Sequence, residues 1–342
     1  TKCHGRVNRL VQLKEQNKKF VELKSKITTT RDSEQKAIID SFNEQNNFVT
    51  GEEWLKHGIE WQSNSSASLP NFLYGFQYLL YPELKKYLMH SANVKMGQWI
   101  GEFLGHVYEG KLNIDDAYNF IEDMAKHYEP NKFANADDEK MEKFLTLVKP
   151  YLTELMYQVQ QVAGNNKVEF EKKIVLYLKG LNVPITGWLD VAILDKNDKL
   201  INWIEIKTKY PMPDGHYKKN TADNKIGDRK WKNPSPVNEP HQYYETQMAI
   251  YTQATGMLGH QIICTPNATT LLRPEEHEKL QKPYLDKILK QVYQKLMVRQ
   301  NLLKLCNDAT TFMRLSEPDF NTFKIKDWNP EYKQLLRGVY DY

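Results

Sequence analysis

The sequence predicts an α/β protein with a central mixed β-sheet flanked by helices and an added helical region at the N-terminus. Residues 188–194 and 200–207 alternate apolar and other residues with the period of two that is typical of strands. Residues 96–155 and 275–305 repeat their apolar positions every three to four residues, as amphipathic helices do. The same helical period runs through residues 1–60.

Residues 1–92 form the predicted helical N-terminal region. Two helices rich in lysine and glutamine are expected there, separated near the threonines at 28–30, and the polar run 63–68 is the expected linker. The aromatic segment 72–81 either covers a core or stacks on DNA bases. Core packing is favoured because so many rings are costly to leave in water.

Residues 93–308 hold the predicted core, and 309–342 form a tail that is expected to pack on it. The helical pattern of 275–305 starts or kinks at Pro283. A polar tetrapeptide, Asp195–Asp198, predicts a hairpin turn between antiparallel strands. The strand candidates are residues 168–178, 188–194, 200–207 and 261–265.

The alternation also predicts which side chains share a face of the sheet. Leu189 and Val191 are expected on one face of their strand, with Asp190 on the other. Glu205 and Lys207 share a face of the next strand, with their Cα atoms roughly 7 Å apart.

Asp190, Glu205 and Lys207 form the candidate catalytic set. Hard cations such as Mg²⁺ or Mn²⁺ prefer oxygen ligands, so Asp190, Glu205 and the backbone carbonyl of Ile206 are predicted to hold one or two of them. Such a cation activates water near neutral pH, and Lys207 orients that water or neutralises charge on a phosphate. An isolated Glu-x-Lys is often a plain surface ion pair, but Asp190 upstream and the apolar flanks favour catalysis.

Asp190, followed after fifteen residues by Glu205-Ile206-Lys207, resembles the signature of the PD-(D/E)XK nuclease superfamily. The proline of the family name is absent. The motif that runs from Gly187 to Asp190, G-x-x-D followed by an apolar residue, resembles the branch that contains the RecB nuclease domain, the CRISPR-adaptation nucleases and the mitochondrial genome maintenance exonuclease. The resemblance covers about residues 95–265 and implies a sheet of the restriction-endonuclease-like type. It also implies that Asp190 and Glu205 bind metal while Lys207 assists catalysis.

Gln247 and Tyr251 match the Q-x-x-x-Y element of the same branch. Their spacing places both on one face of a helix, and residues 242–255 are compatible with a helix that ends at Gly256. A lone Q-x-x-x-Y is weak evidence for the family, but it is stronger evidence when it follows the Asp and Glu-x-Lys in this order. The resemblance implies that both side chains contact DNA phosphate or support Lys207.

The branch also carries a helical G-x-x-x-H whose histidine binds metal, and no histidine stands at that position after Gly97. The resemblance implies that Glu102 or His106 binds the metal in place of that histidine, with Glu102 favoured. Ordinary surface and packing roles fit these two residues equally well. Glu171, on the strand before Asp190, either helps to order the site or is exposed surface charge.

Composition limits the function classes. The chain has 342 residues, 40% of them apolar, and no apolar run of membrane-spanning length. No secretory leader is visible, although a first residue of Thr1 limits what can be said of targeting. Three dispersed cysteines predict no iron–sulfur cluster and fit a reducing compartment. A cytoplasmic location in a bacterial or phage-infected host is expected, and a mitochondrial one stays open.

About forty residues separate Lys207 from Gln247, and within them residues 217–232 carry six basic and two acidic side chains. Basic residues attract phosphates and exposed rings stack on unpaired bases, so this stretch is predicted to be a flap that guides a single DNA strand. A solvated loop without a role is the alternative, because the net charge of +4 proves nothing by itself. The predicted DNA contacts are Lys218, Lys219, Arg229, Lys230 and Trp231.

The sequence therefore predicts a Mg²⁺- or Mn²⁺-dependent DNA exonuclease that acts on ends or single strands in replication, recombination or repair. One alternative is a site-specific or structure-specific endonuclease. The other is a DNA-binding subunit that has lost catalysis, which the missing histidine favours and the retained Asp190, Glu205 and Lys207 oppose. The polarity of digestion, the preference for DNA over RNA, the oligomeric state and protein partners are left open.

Overall fold

The protein is a mixed α/β structure whose central sheet is flanked by helices. A computed structural model describes residues 36–68, 91–130, 137–213, 231–240, 242–308 and 311. The chain divides into two units, Thr1–Val49 and Thr50–Tyr342. In the first unit residues 36–45 form helix α1. Everything below concerns the second unit.

The second unit begins with short elements and continues with longer helices. Residues 63–68, which are predicted to be a linker, instead contain the end of a strand and a short helix. The predicted helical pattern of 96–155 is confirmed in its described parts, residues 96–130 and 137–155. The elements are α2 (Glu52–Leu55), β1 (Gln62–Ser63), α3 (Asn64–Ser68), α4 (Ala92–Tyr108), α5 (Ile114–Lys126), α6 (Asp137–Leu145) and α7 (Val148–Ala163).

The four predicted strands are confirmed, with bounds that shift by no more than three residues. The last helix starts at Lys282, with Pro283 in its first turn, where the missing N–H of proline costs no hydrogen bond. The remaining elements are β2 (Lys167–Leu176), β3 (Ile185–Leu194), β4 (Leu200–Thr208), β5 (Met212–Pro213), β6 (Trp231–Lys232), α8 (Gln242–Thr255), β7 (His260–Cys264), β8 (Thr269–Leu272), a 3₁₀ turn (Glu278–Leu280) and α9 (Lys282–Leu305).

The main sheet has the order β1-β3-β4-β7-β8, with β2 also paired to β3. The β1–β3 and β4–β7 pairs are parallel, whereas β2–β3, β3–β4 and β7–β8 are antiparallel. The predicted hairpin after β3 is therefore confirmed. Its turn is stabilised by the Asp195 carboxylate, which accepts hydrogen bonds from the N–H groups of Asn197 and Lys199 at 2.8 and 3.0 Å.

The edge of β3 that faces away from β2 is shared by two strands. β1 pairs with Ile185 and Thr186, and β4 pairs with residues 191–194. Residues 187–190 lie in the interval between these two ladders. We call this interval the β3 gap; it coincides with the Gly187-Trp188-Leu189-Asp190 sequence.

Side chains along β3 do not follow the single alternation that the sequence predicts. Leu189 belongs to the same core cluster as Ala192, an odd number of residues away, while Val191 is buried outside that cluster. The pattern thus shifts by one residue at Asp190. Glu171, which lies opposite Asp190 on β2, has a φ of 52° and is skipped in the β2–β3 pairing. The expectation that Leu189 and Val191 share a face is therefore wrong.

The main core lies between the sheet and helices α8 and α9. Trp203 of β4, Tyr251 of α8 and Leu296 of α9 are among its buried members. Among the residues that the structure describes, none of the helices combines the length and apolar character needed to cross a bilayer.

Some predicted features lie outside the described residues. The sequence predictions for residues 1–35, the aromatic segment 72–81, the tail beyond residue 311 and the basic side chains of 218–230 stay predictions.

Candidate metal and catalytic site

Asp190 closes one end of the β3 gap. The antiparallel ladder of β3 and β4 reaches as far as Val191 and Ile204. One step further, the Asp190 Oδ2 atom accepts a hydrogen bond of 2.6 Å from the N–H of Ile206. The carboxylate thus takes the place of a backbone acceptor between the two strands.

The same hydrogen bond orients the Ile206 carbonyl. In a strand, the N–H and C=O of one residue point to the same side. Because the Ile206 N–H points to Asp190, the Ile206 oxygen lies on that side as well. The structure therefore brings together two of the predicted metal ligands, the Asp190 carboxylate and the Ile206 carbonyl.

Glu205 and Lys207 lie on β4 and form an ion pair through Glu205 Oε1 and Lys207 Nζ. The Glu205 side chain is fully buried and that of Lys207 is 20% exposed. Burial and the charge of Asp190 raise the pKa of Glu205 to about 8. Burial alone would lower the pKa of Lys207, but the charges of Glu205 and Asp190 outweigh it and raise that pKa.

Asp190 responds to the same surroundings. Burial raises the pKa of Asp190, and the positive charge of Lys207 and the Ile206 N–H oppose that rise. The negative charge of Glu171 adds to it. The site therefore contains two buried carboxyl groups that repel each other when charged, together with one lysine. This is the electrostatic pattern of a functional site.

A cavity of about 70 Å³ opens beside Asp190. A Cβ on Gly101 would meet no atom within 4 Å, so open space lies beside this glycine. A Cβ on Gly97 would meet Thr208 at 3.3 Å. The volume is sufficient for more than one water molecule. The described residues that line it are Gly97, Ile100, Gly101, Leu104, Phe170, Glu171, Asp190, Ile206 and Thr208.

Glu102 and His106 lie on α4 but are not among the described residues that line this cavity. Both are half-buried. Burial and nearby Lys111 lower the pKa of His106, with Glu109 and Glu171 opposing the change. The choice between Glu102 and His106 as a ligand stays a prediction, whereas Glu171 does line the cavity.

Tyr251 and Gln247 close the other side of the gap. The Tyr251 hydroxyl accepts hydrogen bonds from the N–H of Trp188 at 3.3 Å and from Gln247 Nε2 at 3.1 Å. A side chain at Gly187 would overlap the Tyr251 ring, so glycine is required there for close approach. Burial, with the charges of Glu205 and Asp190, raises the pKa of Tyr251, and its hydroxyl stays protonated.

The sequence prediction missed Tyr244. Lys207 Nζ lies 5.2 Å from the centroid of the Tyr244 ring, a cation–π contact. A signal was present in the sequence, because Tyr244 stands three residues before Gln247 and seven before Tyr251, on one face of α8.

The last two residues of the basic stretch 217–232, Trp231 and Lys232, form β6. Met212 and Pro213 of β5 pair with Lys232 and Trp231 of β6. Lys143 of α6 lies over the Trp231 ring, with its Nζ 5.1 Å from the centroid. Lys218, Lys219, Arg229 and Lys230 fall outside the described residues.

One atom of the site has no protein partner. Glu205 Oε2 is buried and no donor among the described residues reaches it, while a side-chain interaction with Asp190 further raises the pKa of Glu205. A buried acceptor without a donor costs about 1–3 kcal/mol, and more when it is charged. A divalent cation beside Asp190 and Glu205 would bind this oxygen and offset the electrostatic repulsion between the two carboxylates.

The donor set suits Mg²⁺ or Mn²⁺. The ranges described contain no cluster of three or more His, Cys, Asp or Glu side chains arranged to hold a metal ion. Mg²⁺ commonly binds through one or two carboxylates and keeps several waters. Asp190, Glu205 and the Ile206 carbonyl therefore fit such an ion better than they fit zinc, whose structural sites need four nitrogen or sulfur ligands.

Comparisons with known proteins add little. No protein-family model matches the chain, and no curated protein matches it significantly. A solved structure described as the crystal structure of SSO0001 is 18% identical over 48% of this chain and 70% of that one, with a TM-score of 0.22. A similarity of this degree identifies neither a family nor a function.

Proposed function

We propose that this protein is a divalent-metal-dependent deoxyribonuclease of the RecB-like branch of the PD-(D/E)XK superfamily, with a sheet of the restriction-endonuclease-like type. The observation that supports it most is the hydrogen bond of Asp190 to Ile206, next to the buried Glu205–Lys207 ion pair, with Asp190 and Ile206 lining a cavity. Buried ionisable groups generally cost stability. Three of them together, with pKa values shifted by burial and by one another, match the pattern of a functional site.

Each residue has a role that follows from its contacts. The proposed metal ligands are Asp190, Glu205 and the Ile206 carbonyl. When bound, Mg²⁺ or Mn²⁺ supplies electrophilic assistance to a phosphate and makes nearby water more acidic. Lys207 donates to Glu205 and places a positive charge at the site, which orients water or neutralises charge that develops on the phosphate.

Tyr251 and Gln247 are proposed to hold this arrangement against the strand. The Tyr251 oxygen accepts two hydrogen bonds, one from the Trp188 N–H and one from Gln247 Nε2. Its own proton remains to be donated, and an oxygen of a bound phosphate is a suitable acceptor.

The proposed substrate is DNA with free ends or single-stranded regions. Six basic residues with interleaved rings at 217–232 support this assignment, because such composition binds phosphate and stacks on unpaired bases. Trp231 and Lys232, at the end of this stretch, pair with Pro213 and Met212. An exonuclease in DNA replication, recombination or repair is the function that these features support best.

The test is cleavage of labelled DNA with Mg²⁺, comparing linear and covalently closed substrates. We expect the parent protein to digest linear DNA and spare the closed circle. Lys207→Ala should lower the rate about 10³-fold, the usual loss when one electrostatic contact to a reacting group is removed. Lys196→Ala, on the exposed hairpin turn, is the matched control and should keep the parent rate.

Each other outcome has a definite meaning. Cleavage of closed circles by the parent would identify an endonuclease instead. Undiminished cleavage by Lys207→Ala would reject the assigned site. Tight DNA binding without any cleavage would identify a DNA-binding subunit that lacks catalysis.

A further inference from the structure

Glu205 has a fully buried polar neighbour on the next strand. In the parallel pairing of β4 with β7, Glu205 is the register partner of Gln261. Register partners project to the same face, and adjacent strands lie about 4.8 Å apart. Both side chains have no exposed surface.

The polar atoms of this pair are complementary. Gln261 Nε2 and Oε1 and Glu205 Oε2 are all buried, and none has a hydrogen-bond partner among the residues the structure describes. Glu205 Oε2 lacks a donor, and the Gln261 amide is a donor that lacks an acceptor. Buried side-chain amides in native proteins are nearly always bonded, so two such groups side by side indicate a shared partner or a direct bond.

We propose that the Gln261 amide donates a hydrogen bond to Glu205 Oε2 when a divalent cation occupies the site. Gln261 then acts as a positioning residue, because it contacts neither substrate nor cation and works through Glu205. This inference rests on the proposed function.

The bond does not compete with the cation for Glu205. A carboxylate oxygen has two acceptor directions, so Oε2 can accept the amide and still face an ion. Lys207 already donates to Oε1, and a donor on Oε2 would hold both oxygens and set the plane of the carboxylate. Carboxylates that bind metals are commonly held in this way by a second hydrogen bond.

The chemistry of glutamine suits this role. A second lysine would cancel the negative charge that attracts the cation. An apolar residue would leave the carboxylate free to rotate. A neutral amide orients Glu205 and leaves its charge unchanged.

The experiment measures Mn²⁺ binding by calorimetry in the parent and in Gln261→Met, which replaces the amide by an apolar side chain of similar length. We expect 10- to 100-fold weaker binding in the variant, the usual effect of removing a residue that holds a metal ligand. The melting temperature of the metal-free variant should be unchanged or higher, because an unbonded buried amide is no loss to the apo fold. A merely structural role would lower the melting temperature and leave the affinity unchanged.

Gln62→Met is the matched control. Gln62 is equally buried and its Oε1 atom also lacks a partner within the described ranges, but it lies on β1, paired with Ile185. We expect Gln62→Met to bind Mn²⁺ as the parent does.

The possible failures are distinguishable. Equal Mn²⁺ affinity in the parent and in Gln261→Met would overturn the role of Gln261 and leave the proposed function standing. A parent protein that neither binds Mn²⁺ nor cuts DNA would overturn both. If Gln261→Met does not fold, a crystal structure of the parent with Mn²⁺ decides: the amide nitrogen within about 3.2 Å of Glu205 Oε2 supports the inference, and an amide bonded elsewhere overturns it.

Discussion

Two fully buried glutamines in this protein differ in their hydrogen bonding: Gln300 is bonded at both polar atoms and Gln261 at neither. Gln300 of α9 accepts hydrogen bonds at Oε1 from Trp54 Nε1 at 3.0 Å and from the N–H of Asn182 at 2.6 Å. Its Nε2 donates to the carbonyl of Gly180 at 2.9 Å. Gln261 of β7 has no bond at either polar atom within the described structure.

The contrast extends to the neighbours of each glutamine. Gln300, Trp54, Asn182 and Gly180 form what we call the Gln300 cluster, in which the glutamine joins α9 to α2 and to the loop before β3. Asp190, Glu205, Lys207 and Gln261 form the Glu205 cluster, in which Glu205 Oε2 and both polar atoms of Gln261 have no hydrogen-bond partner among the described residues. A fully bonded buried polar group ties a fold together, whereas an open one costs stability until a ligand arrives.

The comparison predicts that the two clusters respond oppositely to mutation. The largest effect is expected for Asp190→Asn. Asparagine still offers an oxygen to the Ile206 N–H but removes a charge that the cation needs and that raises the pKa of Glu205. DNA cleavage should fall about 10³-fold, near 4 kcal/mol, and the metal-free protein should melt at a higher temperature at pH 8.

Digestion assays and thermal unfolding of the metal-free protein measure the two effects. A loss of activity together with a lower melting temperature would mean that the Glu205 cluster is structural after all.

Gln300→Met should show the reverse pattern. It removes three hydrogen bonds and leaves Trp54 Nε1 and two backbone groups without their partner. The free energy of unfolding should fall by about 3 kcal/mol, while Mn²⁺ affinity of the folded protein stays the same. Urea unfolding and calorimetry are the measurements.

Gln294→Met, on the exposed face of the same helix, is the control and should match the parent in both. Weaker Mn²⁺ binding by folded Gln300→Met would remove the distinction between the clusters.

The pH dependence of stability sharpens the comparison further. The pKa of Glu205 rises from its ordinary value of 4.5 to about 8 in the folded protein. Between these values the folded state binds more protons than the unfolded state, so stability falls as pH rises through this window. The raised pKa of Asp190 acts in the same direction, and the raised pKa of Lys207 matters only above its ordinary value of 10.5.

We therefore expect the metal-free parent to lose about 3 kcal/mol more than Glu205→Gln between pH 5 and pH 8. Urea unfolding in the presence of a chelator measures the difference. Mg²⁺ should restore more stability at pH 8 than at pH 5, because it binds the deprotonated carboxylates. Identical pH slopes in the two proteins would contradict the assigned burial of Glu205.

The smallest energetic effect is expected outside both clusters. Neutralising Lys218, Lys219, Arg229 and Lys230 together should weaken DNA binding about tenfold and reduce the slope of log affinity against log salt by roughly 3, without changing stability. The control neutralises four exposed lysines elsewhere: Lys196, Lys199, Lys287 and Lys290. A salt slope that does not change would exclude residues 217–232 from the DNA-binding surface.

The sequence predicts the regular strands well and the short ones poorly. β2, β3, β4 and β7 have enough residues for a clear apolar pattern. β1 has two residues and β8 has four, Thr269–Leu272, which is too few for a period of two to stand out. β1 forms only because distant residues of β3 offer an open edge.

The candidate site is predicted in identity but not in geometry. Local pattern names Asp190, Glu205 and Lys207, and the motif resemblance adds Gln247 and Tyr251, because residue spacing within strands and helices is visible in the sequence alone. It cannot show that the alternation shifts at Asp190, where Glu171 adopts a φ of 52°. That shift depends on pairing with strands on both sides of β3.

Spacing along the chain was enough to identify the α/β class and the carboxylates and lysine that suit a hard cation, because both follow from residue type and local periodicity. The β3 gap, the contact of Gly187 with Tyr251 and the pairing of Glu205 with Gln261 each join segments that are far apart in the chain. Such contacts arise from packing between strands and helices, so they could be recognised only once the whole sheet was assembled.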